Sequence, residues 1–154
     1  ASIPNLKTPA PVIYLMDNLD EKDQLGYCID TKGRGFGEKL HAHSCKPRGG
    51  DVQFKYDTVK RRIESATFDD KCVEIIGSPR DGSMLGLLDC SEGSKNQSFN
   101  YDSELLELRS KSDSRLCLAV GEDSRKAGPF MARKLRMQYC NDVPEQYKRW
   151  LIID

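Results

Sequence analysis

The side chains able to do chemistry gather in one stretch of the chain. Asp30 precedes the histidine pair His41 and His43, and Asp51 follows it; these are the only two histidines among 154 residues. If residues 41 to 43 are extended, both rings point the same way, because side chains two apart on a strand share a face. Two imidazoles and a carboxylate could ligate a metal, but no fourth ligand or supporting shell accompanies them, and no metal is expected. The Asp30-x-x-Gly33 run resembles a calcium loop only faintly, and calcium is not expected either. Asp30 could equally cap backbone amides in a turn, with two ordinary surface histidines beside it.

Other chemistries lack their residues. The sequence has no His-paired Ser or Cys nucleophile motif, no H-E-x-x-H and no phosphate-cradling Gly loop, so no catalysis and no cofactor are expected of this chain. Its 24 basic and 24 acidic residues cancel. That balance argues against nucleic acid or an anionic membrane surface as partner, since phosphate recognition needs a cationic excess. The basic run Lys60-Arg61-Arg62 could bind heparin but reads better as a solvated turn. No apolar run approaches the ~20 residues that span a bilayer.

Six cysteines stand in three similar neighbouring couples, Cys28–Cys45, Cys72–Cys90 and Cys117–Cys140, with no C-x-x-C pair. Bonded that way, each couple would close a loop worth roughly 3 kcal/mol. Such bridges persist in an oxidising compartment, so the chain is expected to be secreted or to reside in the secretory lumen. The sequon Asn96-Gln97-Ser98 is compatible with that location.

The couples belong to a repeat that positions everything else. Cys28, Cys72 and Cys117 head the segments CID, CVEI and CLAV. After each comes a polar, Gly-containing stretch read as a turn (TKGRGFGEK, GSPRDGSM, GEDSRKAGP), then a short strand into the second cysteine. A further apolar stretch follows, aligning Phe54 with Phe99 and Tyr56 with Tyr101, whereas Trp150 falls one residue out of step. Upstream, Ile63 and Leu108 lie nine residues before their cysteines, and Leu19 takes that offset in the first unit. Each unit reads as four short strands that cannot bury their own apolar face, whereas three units closing on an axis can. The expectation is an all-β β-trefoil: residues 1–11 an extension or linker, 12–154 the domain, with repeats at about 12–57, 58–102 and 103–154. Phe54, Phe99 and Trp150 are expected in its core.

The threefold pattern of cysteine, hydrophobic and Asp, disulfide partner, then Gln97-Ser98-Phe99, resembles the ricin B-type lectin family over roughly residues 19 to 152. Residues Cys45 to Tyr56 are similar to the motif in lectin domains of polypeptide N-acetylgalactosaminyltransferases. The resemblance implies up to three shallow sugar sites, one per repeat. Each needs an Asp two residues after the first cysteine, a flat side chain two before the second, and a polar group in the next turn. One carboxylate can accept the neighbouring 3- and 4-hydroxyls of galactose or N-acetylgalactosamine, whose C–H face stacks on a ring. The first repeat fits best: Asp30 as acceptor, His43 as platform, His41 on the same strand face and Asp51 for the turn Asn. Val52 stands where Gln is usual. Glu74 and Leu88 weaken the second repeat, and Ala119 with Gln138 makes the third structural. The resemblance thus implies a module for glycans or glycoproteins ending in galactose or N-acetylgalactosamine, possible as a homodimer. The alternatives are a lectin domain from a larger glycosyltransferase or glycosidase, and a trefoil acting by protein contact.

Overall fold

Strands form where β-branched and aromatic residues cluster between turn-forming Asp, Gly and Ser. The computed structural model describes residues 2–31 and 39–154. Twelve strands follow in order: β1 (Val12–Leu15), β2 (Tyr27–Asp30), β3 (His41–Ser44), β4 (Phe54–Asp57), β5 (Arg62–Ser65), β6 (Lys71–Ile75), β7 (Leu85–Asp89), β8 (Phe99–Asp102), β9 (Glu107–Ser110), β10 (Leu116–Ala127), β11 (Phe130–Tyr139) and β12 (Trp150–Ile153).

Their antiparallel pairing is that of a β-trefoil. The pairs β12–β1, β4–β5 and β8–β9 join neighbouring repeats, and the hairpins β2–β3, β6–β7 and β10–β11 lie one within each. Phe54 faces Ser65, Phe99 faces Ser110 and Trp150 faces Leu15, and all three aromatics are wholly buried. Tyr56 then donates its hydroxyl to the Phe99 carbonyl, and Tyr101 to that of Trp150, both at 2.7 Å, tying the first repeat to the second and the second to the third. The disulfides Cys28–Cys45, Cys72–Cys90 and Cys117–Cys140 close the three hairpins.

The inter-repeat turns are built alike. Asp57 accepts the amides of Val59 and Lys60, and Asp102 those of Glu104 and Leu105. The run Lys60-Arg61-Arg62 is part of that turn, with Arg61 at φ 57° as Leu106 is at φ 61°.

Three details differ from the sequence expectation. Trp150 is in register after all, because two 3-10 turns at Cys140–Asp142 and Glu145–Tyr147 take up the extra residue before it. Ile13, not Leu19, is the partner of Ile63 and Leu108: it stands two residues before Leu15, as they stand before Ser65 and Ser110. The β1–β2 connection runs over residues 16–26, against 66–70 and 111–115 in the other repeats, so the spacing to Cys28 is longer and Leu19 lies in the added loop. Finally, most of GEDSRKAGP is not a turn: β10 continues through Ala127 and reverses at Gly128-Pro129. This long hairpin finds a partner outside its own repeat, as β11 pairs with β3 at Ala132–His43, Arg133–Ala42 and Lys134–His41.

Candidate functional site

The β2–β3 register places Asp30 opposite His41 and Cys28 opposite His43. Asp30 Oδ2 lies 2.6 Å from His41 Nε2. Arg125 Nη2, from the long hairpin, lies 2.9 Å from His41 Nδ1. A guanidinium can only donate, so Nδ1 accepts and the proton sits on Nε2, facing the carboxylate. The other carboxylate oxygen, Asp30 Oδ1, is buried and finds no hydrogen-bond donor among the described residues. Lys46 Nζ stands 3.6 Å from it and 3.8 Å from Asp51 Oδ2, a cation between two acids. The Asp30 side chain is only 3% exposed, whereas that of Asp51 is 33% exposed. The stretch TKGRGFGEK and the Asp30-x-x-Gly33 run reach into residues 32–38, which lie outside the described residues.

The structure thus joins Asp30 to His41 directly and to Asp51 through Lys46, with His43 two residues along the strand. His43 is enclosed: its ring centroid lies 5.6 Å from that of His41 and 5.4 Å from that of Phe130, and the residue is 7% exposed. So little exposure leaves small room for a stacking platform, because Phe130 of the third repeat's hairpin packs against the ring. Its Nδ1 donates to the Ser44 carbonyl at 2.9 Å. Burial pushes the His43 imidazole below its ordinary 6.5, against the upward pull of the Ser44 bond and the Asp30 charge.

The wall behind the site comes from the added 16–26 loop. Glu21 accepts the Ser44 hydroxyl at 2.7 Å, and Ser44 Oγ in turn accepts the Met131 amide at 2.9 Å. Asp20 accepts Tyr27 Oη at 2.6 Å and Arg133 Nη2 at 2.7 Å, and also takes the Ser124 hydroxyl. Burial would raise the Asp20 carboxyl, but the hydrogen bonds from Ser124, Tyr27 and Arg133 outweigh it and hold the group at about 2. First and third repeats are therefore stitched together behind Asp30.

The other two repeats answer the same positions differently. Gln97 Nε2 donates to Glu74 Oε1 and to the Asp89 carbonyl, each at 2.8 Å, so the second acid is held from within its own lobe. Asn96 donates to the carbonyls of Ile75 and Gly77. In the third repeat Ala119 faces Arg136, and Lys148 replaces the Gln, donating to the Cys140 carbonyl at 2.6 Å and pairing with Glu107 at 3.1 Å. Glu107 lies near Cys117 and Cys140, but those sulfurs are bonded to each other.

Sequence reasoning did not reach Lys46, Arg125, Glu21 or the Asp20–Arg133 pair. Lys46 follows Cys45 directly and carried a faint signal as a charge beside two acids. The others meet the site only through contacts distant in sequence.

A family profile described as the ricin-type β-trefoil lectin domain matches residues 18–150. The chain belongs to that family. It is therefore a carbohydrate-binding domain of a non-catalytic kind. Among solved structures it is similar to the crystal structure of GalNAc-T7 with UDP, GalNAc and Mn2+, at 17% identity and a TM-score of 0.61. That likeness shows the fold, covering 96% of this chain and 23% of that one, so the lectin domain spans under a quarter of its neighbour's length. No curated protein matches it by sequence. The three disulfides point to an extracellular or secretory setting. Among the described residues no helix is long and apolar enough to cross a membrane.

Proposed function

We propose that this lectin domain binds a terminal galactose or N-acetylgalactosamine at the first repeat, with Asp30 as the principal acceptor. The observation that carries the proposal is Asp30 Oδ1, a buried carboxylate oxygen without a hydrogen-bond donor among the described residues. An unmet buried acceptor costs about 1–3 kcal/mol, more for a charged group, and a sugar hydroxyl would satisfy it. Lys46 stands over that oxygen with its own side chain 27% exposed, so ligand entry displaces a solvent-accessible ammonium while His41 holds Oδ2 in place. Asp51, more open, accepts a further hydroxyl or shares Lys46. His41 and the little of His43 that is exposed supply the C–H contact, a smaller surface than a full ring face.

So few contacts give a weak monosaccharide site, with a dissociation constant of about 0.1–1 mM. Useful avidity then comes from clustered glycans or from a homodimer. Retention on immobilised galactose and N-acetylgalactosamine tests the reading: wild type is retarded and Asp30→Asn runs through, with the same circular dichroism and intact disulfides. A retarded Asp30→Asn protein removes Asp30 from the site.

A second reading concerns context. The partial coverage of the GalNAc-T7 chain supports a module that works beside a catalytic domain of a larger glycosyltransferase or glycosidase, delivering glycan-bearing substrate to it. Sequencing the full transcript decides it: an upstream catalytic domain supports this reading, and a signal peptide directly before Ala1 rejects it.

A further inference from the structure

A cationic hollow adjoins Asp30. His41 and Lys134 face each other across the β3–β11 pair, and Arg136 lies two residues beyond Lys134, so strand alternation turns all three to one face. Lys39 and Arg125 complete the rim of a hollow of about 300 Å³, whose one other lining residue among those described is Leu40. Among the described residues no carboxylate lines it, and Lys39, Arg125, Lys134 and Arg136 make no ion pair. Glu122 and Asp123 lie in the next hollow along, on the far side of Arg125 and Lys134.

Like charges crowded on neighbouring strands repel, and nothing in the overall charge balance demands them here, because the chain as a whole is neutral. The arginines add what a simple positive patch lacks. Each guanidinium is a planar fork matched to oxyanions, and Arg125 is oriented by its bond to His41. His41 itself belongs to both places: its Nε2 faces Asp30 and its other edge lines the hollow.

We propose that this hollow takes a sulfate or phosphate ester carried by the glycan held at Asp30, which makes the domain a lectin for acidic glycans. The inference rests on the lectin reading above and names the ligand class of that site. The anion neutralises Lys39, Lys134 and Arg136 while Arg125 bridges it to His41. The sugar ring then reaches Asp30 across the width of one imidazole.

Titration calorimetry of the chain with galactose 6-sulfate, galactose 6-phosphate and galactose, at low and high salt, tests this. The charged sugars are expected to bind about tenfold or more tighter than galactose at low salt, an advantage that shrinks with screening. The double variant Lys134→Ala/Arg136→Ala is expected to lose the advantage and keep the affinity for galactose. Lys134→Gln alone, at an exposed position, serves if the double variant misfolds. The sulfate and phosphate arms show which ester is preferred. Equal affinity for charged and neutral sugars overturns the inference and leaves the lectin reading standing. If no sugar binds, inorganic sulfate is titrated alone: shifts in the His41 and Lys134 NMR signals uphold the hollow and reject the lectin reading, and silence rejects the hollow as well.

Discussion

The first and second lobes share a disulfide, a hairpin register and a buried aromatic at the head of the last strand, yet they treat the acid two residues after the first cysteine in opposite ways. In the second lobe Gln97 reaches across to Glu74, and Gly86 and Leu88 stand where the first lobe has His41 and His43. In the first lobe the Gln position is Val52, wholly buried, and among the described residues no side-chain amide bonds to Asp30. Its partners are instead His41 on the facing strand and Lys46 on the surface, and one carboxylate oxygen has no donor among the described residues. An internal hydrogen bond makes the second acid structural. The first acid lacks that bond, and on the proposal above a ligand takes its place. The fold repeats; the chemistry depends on which neighbour claims the carboxylate.

The largest expected effect is on stability and should not distinguish the lobes. Replacing either Cys28–Cys45 or Cys72–Cys90 by alanines is expected to cost roughly 3 kcal/mol, measured by urea unfolding. Only loss of the first bridge should also abolish sugar binding.

Binding separates the two lobes sharply. Asp30→Asn is expected to weaken galactose binding about a hundredfold or more, as loss of a charge-assisted contact would, whereas Glu74→Gln should leave it unchanged in calorimetry. A matching loss in the Glu74 variant would erase the contrast. Gln97→Ala, conversely, should cost about 1–3 kcal/mol of stability by stranding Glu74, with binding intact.

Acid should loosen the first lobe selectively. Because burial depresses the His43 imidazole, the unfolded chain takes up a proton near pH 6.5 that the folded one resists. Stability therefore falls as pH drops through and below that value, and His43→Gln should flatten this part of the profile. Asp20, held at about 2 against an ordinary 3.8, contributes stability that is complete above pH 4 and disappears between about pH 4 and 2. Thermal melts across pH 2 to 8 would show two steps, the lower one reduced in Asp20→Asn, since Asp57, Asp102 and Asp113 are also held low by hydrogen bonds.

The smallest change concerns Lys46. Lys46→Ala removes the competitor at Asp30 Oδ1 and is expected to tighten galactose binding a few-fold, as lost surface ion pairs are individually weak.

Much of the trefoil was legible in the sequence, because disulfide spacing and the recurring aromatic are local signals in register with the repeat. Leu19 misled because a loop insertion shifts spacing without changing composition. The GEDSRKAGP stretch misled because its strand projects beyond the core: with both faces partly wet it lacks alternation, and it is a strand through its ladder with β11, which in turn pairs with β3. The same long-range pairing hid Arg125 and the cover over His43. Asp30 and His41 were both legible in the sequence as candidate site residues, but that they stand opposite each other is visible only in the β2–β3 register.

The central claim is that the Asp30 lobe holds the sugar, and an amide NMR titration with N-acetylgalactosamine tests it most directly. Shifts are expected to concentrate at Asp30, His41, Lys46 and Asp51, with Glu74, Leu88 and Asn96 unmoved. Shifts centred on the second lobe, or none at saturating sugar, would contradict it.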